Sequence, residues 1–167
     1  LKSYRIVNNI SRITKGYKRQ YLYTPEGKIS YLYREVTGCK DPIIFIHGIG
    51  MGVYPYLNFF EHFKDRTVLL IEIPNISGIV IQNTIPRAKS FRFIFKRILK
   101  KLNIKQYHLI GHSLGTHFVS TLLNDPIMEI NPASVTLIDP ICILHEIHFS
   151  HHLPMLKEYK YTSTNDL

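Results

Sequence analysis

The chain of 167 residues, 45% of them hydrophobic, is long enough for one globular domain with a sizeable core. Its formal charge of +9 comes from basic residues scattered over several elements, and no nucleic-acid-binding module accompanies them, so the composition argues against nucleic acid as a partner. Two cysteines, Cys39 beside a turn and Cys142 in an apolar run, speak against a disulfide framework and favour an intracellular, reducing compartment; no apolar run approaches the ~20 residues that span a bilayer.

Residues 1–19 are basic and weakly patterned, with Ile6, Val7, Ile10 and Ile13 at near-helical spacing, and are expected to form a peripheral arm or helix. Gln20 to Thr24 and Lys28 to Val36, rich in aromatic and branched residues, flank Pro25-Glu26-Gly27 and predict a β-hairpin. Asp41 to Gly52 reads as a buried strand ending in a Gly-rich turn that opens with His47-Gly48. A backbone N–H in such a turn can point at a developing oxyanion. A short helix is expected over Tyr56 to Phe63. Thr67 to Pro74 is a continuous apolar strand of the kind buried on both faces in a parallel sheet.

Ala88 to Leu102 is the clearest helix: Phe91, Ile94, Phe95, Ile98, Leu99 and Leu102 form one stripe, and Arg92, Lys96, Arg97 and Lys100 the opposite face. Phe93 falls among the basic residues, and a basic face carrying an aromatic can dock on a membrane. Tyr107 to His112 then leads as a strand into Gly111-His112-Ser113-Leu114-Gly115, followed by a helix to about Asn124, before Pro126. A serine at the tip of so tight a turn takes a strained backbone conformation, and Gly111 and Gly115 let strand and helix approach. Ser134 to Pro140 is expected to be another buried strand. Six strands with crossover helices between the later ones make a mostly parallel, doubly wound α/β sheet the economical arrangement. Beyond Ile141 come His145, His148, His151, His152 and a polar tail.

The His-Gly turn and the later Gly-x-Ser-x-Gly turn, in this order and each at a strand end, resemble the α/β-hydrolase superfamily over roughly residues 20–140. The resemblance implies a serine esterase or lipase-like enzyme with Ser113 as nucleophile, backbone N–H groups of Ile49 and Leu114 as oxyanion hole, and His47 as loop support beside Gly48, Gly111 and Gly115. It requires no cofactor and no metal. Asp139, at the C-terminal end of the strand after the elbow helix, is a candidate acid, and an Asp-Pro turn is its plain alternative. Apolar Met51, Val53, Tyr54 and Tyr56, and Leu144 onward, would shape a pocket for a small-molecule ester or lipid. His145, His148 and His152 would share one face of a helix, where a partly exposed lid is favoured over a metal site, and the catalytic histidine is expected elsewhere. Members are usually longer and the first residue is Leu1, so the chain is read as an N-terminal fragment, inactive by itself. Its parts are an arm at 1–19, a partial hydrolase core at 20–144, and the start of a lid or a disordered tail at 145–167. The rivals are a non-catalytic binding protein that keeps the elbow for folding, and a membrane-peripheral module working through Phe93.

Overall fold

The computed structural model describes residues 16–24, 27–39, 41–77, 88–124 and 132–141. Strands lie at Lys18–Thr24 (β1), Gly27–Arg34 (β2), Ile43–Ile46 (β3), Val68–Glu72 (β4), His108–His112 (β5) and Ser134–Ile138 (β6); helices lie at Leu57–Phe60 (α1), Ala88–Lys101 (α2) and Leu114–Leu123 (α3). The six strands form one sheet in the order β1-β2-β4-β3-β5-β6. The hairpin β1/β2 joins β4 antiparallel, and β4, β3, β5 and β6 run parallel to one another. The hairpin starts earlier than its aromatic residues suggested: Lys18 and Arg19, expected in the arm, are strand residues paired with Tyr33 and Leu32. Residues 1–15 of the expected arm, and the expected lid or tail at 145–167, lie outside the described residues, as do Cys142 and the four late histidines.

Alternation along the strands sorts two apolar layers. Ile44, Ile46, Leu69 and Ile71 face α2 and α3, where Phe91, Phe95, Ile98 and Phe118 complete the larger cluster. Ile43, Phe45, Val68 and Leu70 face the other way, onto Val53, Leu57 and Phe60. Every residue of β3 and β4 is buried, as the unbroken apolar runs predicted. The α2 stripe buries Phe91, Ile94, Phe95, Ile98 and Leu99, which together contribute about 10 kcal/mol at ~2 kcal/mol per side chain. Arg92 on its opposite face donates to the Thr121 carbonyl, tying α2 to α3.

Two expectations need correction. The segment 56–63 is no single helix: a 3-10 turn at Tyr54–Tyr56 precedes α1, and another at Glu61–Phe63 follows it, with Pro55 in the first turn. β6, read as buried, is exposed at every residue. Its apolar composition suits a strand interior to a sheet, but among the described residues it pairs with β5 alone and nothing covers its outer side.

Candidate active site

β5 delivers its C-terminal end into a turn at Ser113, whose φ of 48° and ψ of −120° lie outside the regions open to ordinary L-residues. The turn is held from three directions. Ser113 N–H donates to the Ile138 carbonyl at 2.9 Å, and the Ser113 carbonyl accepts from Thr116 N–H and from the Thr116 hydroxyl at 2.7 Å. The same hydroxyl oxygen accepts from Ile141 N–H, so it links the elbow helix to the segment that follows β6. Two glycines make the closeness possible. A Cβ on Gly111 would stand 2.7 Å from the Val119 side chain, and one on Gly115 would stand 2.1 Å from the Ile46 carbonyl oxygen. The start of α3 therefore presses against the end of β3.

The second turn grows out of β3. His47 is fully buried and engaged at both ring nitrogens. Ile73 N–H can only donate, so Nε2 must accept from it at 2.9 Å, which leaves the proton on Nδ1 to donate to the Gly48 carbonyl. Burial pushes its pKa down against the upward pull of Gly48 and Glu72. A neutral imidazole with no free nitrogen is no base, and its ring pins the turn to the end of β4. Gly50 N–H donates to the Ile76 carbonyl at 2.9 Å, and Gly52, at φ 67°, packs against Ser77 and Glu72. Ile49 and Met51, by contrast, are exposed at 51% and 70%.

The two turns touch: a Cβ on Gly48 would meet Ser113 Cβ at 2.9 Å and His112 Nδ1 at 3.0 Å. Ile49 and Leu114, the residues expected to offer their N–H groups, each directly follow one side of this contact. Asp139 takes φ 48° at the end of β6, where Ile138 pairs with His112, so its backbone sits beside the elbow. Among the described residues, no imidazole hydrogen-bonds either Ser113 Oγ or the Asp139 carboxylate. No group of three or more His, Cys, Asp or Glu among them is placed to hold a metal.

A buried polar cluster escaped the sequence reading. Glu72, fully buried, pairs with Arg19 through both carboxylate oxygens and accepts from the Ser30 hydroxyl. Arg19 also reaches the Tyr54 hydroxyl, so β1, β2 and β4 are tied to the chain that leaves the His-Gly turn. Burial works most strongly against the guanidinium charge, but the bond to Glu72, the Glu72 charge and the Tyr54 hydroxyl together outweigh it and hold the Arg19 pKa above its ordinary value. The signal in the sequence was a lone carboxylate inside the apolar run 68–73, which must find a partner if that run is buried. A second contact, Tyr56 Oη to His112 Nδ1 at 2.8 Å, left no such trace.

A strained serine between two contacting strand-end turns, on the C-terminal edge of a parallel sheet, is the arrangement of one class of protein. A family profile described as alpha/beta hydrolase fold matches residues 41–160, and the chain belongs to that family. It is 28% identical over 113 residues to 2-hydroxy-6-oxononadienedioate/2-hydroxy-6-oxononatrienedioate hydrolase of Pseudomonas sp, a match spanning 64% of this chain and 40% of that one. It is also 28% identical over 103 residues to proline iminopeptidase of Heyndrickxia coagulans, spanning 60% and 36%. Among solved structures, carboxylesterase CesB of Bacillus subtilis superimposes with a TM-score of 0.64 at 16% identity, over 82% of this chain and 48% of that one. The naproxen esterase of the same organism gives 0.63 at 16%, over 79% and 46%. The matched region thus spans less than half the length of these relatives.

Proposed function

We propose that this chain carries the nucleophile and oxyanion-binding part of a serine hydrolase acting on carboxylic esters or lipid acyl groups. The observation that carries the reading is the elbow itself: Ser113 is held at a strained φ of 48°, with Gly48 of the other turn against it. Ser113 Oγ attacks the carbonyl carbon and gives its proton to a base outside the described residues. The oxyanion of the tetrahedral intermediate accepts from the N–H groups of Leu114 and Ile49. Collapse expels the alcohol with that proton and leaves an acyl-enzyme, which water hydrolyses. Asp139 is the acid that orients the base, on the strength of its place beside the elbow. The exposed Ile49 and Met51 favour an apolar acyl group, and the carboxylesterase neighbours agree with an ester substrate.

The test is fluorophosphonate labelling of the full-length protein. Labelling that vanishes in Ser113→Ala is expected; a folded protein that takes no label is instead a binder that keeps the elbow for its fold.

One observation favours an added membrane contact. Phe93 is 56% exposed on the basic face of α2, with the Arg97 guanidinium 5.6 Å from its ring centre. Aromatic and cation together suit the interface of an anionic bilayer. Sedimentation with phosphatidylserine vesicles should weaken in Phe93→Ser, and unchanged binding ends this reading.

A further inference from the structure

The geometry points to Tyr56 as a positioning residue: its hydroxyl clamps the turn after β3 to the turn after β5 by bonding the residue next to Ser113. The inference rests on the proposed function for its catalytic meaning, but not for its structural content. Tyr56 closes the 3-10 turn that ends the His-Gly loop, with its own N–H donating to the Val53 carbonyl. Its ring lies on Phe45 of β3, with centres 4.6 Å apart, and faces the His112 imidazole at 5.5 Å. From there the hydroxyl reaches His112 Nδ1 at 2.8 Å. Burial raises the Tyr56 pKa, and the Gly48 backbone counteracts it. Gly48 has no side chain to hold it against His112 and Ser113, and a Cβ there would collide with both. A contact that cannot be made by side-chain packing is made instead by a hydroxyl arriving from ten residues' length of loop and turn.

With the phenol as donor, Nδ1 of His112 accepts and the ring proton sits on Nε2. The bond closes a loop of structure that begins at β3, passes through Ile49 and Met51, and returns to β5. Ile49 is inside that loop, and Leu114 is two residues beyond its far end. Loss of the hydroxyl therefore frees the separation between the two amides without disturbing the apolar core, because Phe at 56 keeps the ring on Phe45.

The experiment uses the full-length protein with Tyr56→Phe, His112→Phe and the double variant, followed by nitrogen-15 NMR. Each single variant should speed amide exchange at Gly50 and Ser113, whose N–H groups donate to the Ile76 and Ile138 carbonyls, by about five- to ten-fold relative to Leu70 in β4, the loss expected of one net hydrogen bond. The double variant should add nothing further, since both changes remove one interaction. In Tyr56→Phe, the nitrogen-15 signal of His112 Nδ1 should also move, because that nitrogen loses the hydroxyl bonded to it. Additive effects of the two substitutions, exchange within two-fold of wild type, or an unmoved Nδ1 signal overturns the clamp. Fluorophosphonate labelling of the same proteins separates the two proposals. Slower labelling of Ser113 in Tyr56→Phe supports the positioning role, and equal rates in wild type and variant overturn it. No labelling of the wild type defeats the hydrolase reading while the exchange and nitrogen-15 data still decide the clamp.

Discussion

Gly48 and Ser113, 65 positions apart in the chain, are so close that a methyl group on the first would stand 2.9 Å from Cβ of the second. Everything proposed about chemistry depends on that approach, because it brings amides of two separate turns to one place. Gly115 lets α3 reach the end of β3, His47 anchors the other turn to β4, and the Tyr56 hydroxyl bonds across to His112.

Substituting the glycines should rank them. In Gly115→Ala the new methyl would overlap the Ile46 carbonyl oxygen, which β3 pairing holds in place, whereas in Gly48→Ala it stands further off, 2.9 Å from Ser113 Cβ, 3.0 Å from His112 Nδ1 and 3.2 Å from the His112 carbonyl oxygen. Overpacking typically costs about 1–3 kcal/mol, so Gly48→Ala should fall in that range and Gly115→Ala at or above its top. Urea denaturation of both variants checks the order; a smaller loss for Gly115→Ala contradicts it.

Strain at the elbow predicts a substitution that raises stability. Ser113 is a non-glycine residue at φ 48° and ψ −120°, a conformation that costs about 1–3 kcal/mol. Ser113→Gly should relieve it and, after the greater flexibility of glycine in the unfolded chain is subtracted, gain about 1 kcal/mol. Ser113→Ala keeps the strain and should gain little. The comparison is one of urea midpoints at unchanged slope, and a Gly variant no more stable than Ala removes the strain argument.

The Arg19–Glu72 pair should be costly to break and cheaper to delete. Glu72→Ala leaves a partly buried guanidinium without its partner, a loss of about 3–5 kcal/mol for pairs of this kind. Arg19→Met with Glu72→Leu removes both charges together. A double-mutant cycle in urea should give a double variant more stable than the sum of the two single losses implies, and simple additivity would mean that the pair contributes no coupling.

Stability should narrow at both ends of the pH scale. His47 is held neutral in the fold, below its ordinary value of 6.5. The unfolded chain therefore binds the extra proton first, and stability falls as pH drops below about 6.5 until the folded pKa is passed. Burial pushes the Tyr17 and Tyr107 hydroxyls up to about 12 from 10.0. Between those values the unfolded chain has lost protons that the fold keeps, so stability falls as pH rises from 10 to 12. Thermal melts across pH should show a shallower acid limb in His47→Gln and a shallower alkaline limb in Tyr17→Phe. Identical limbs in wild type and variants would falsify the assignment.

Local periodicity was enough for most of the architecture. Alternating and unbroken apolar runs located the six strands, the stripe from Phe91 to Leu99 located α2, and the glycines around Ser113 marked the elbow, because each of these signals is carried by residues within one turn or strand of one another. What the tertiary structure alone decided are contacts between residues far apart in sequence. Glu72 looked like an oddity in an apolar run until Arg19 was brought across β2 to neutralise it. Tyr56 had no visible polar partner until the parallel pairing of β3 with β5 set its hydroxyl against His112. β6 has the composition of an interior strand, yet its exposure depends on what lies beside it, which no pattern within five residues can encode. Hydrophobic spacing is a local property of the chain, whereas a hydrogen-bond partner is chosen by the packing of the whole sheet.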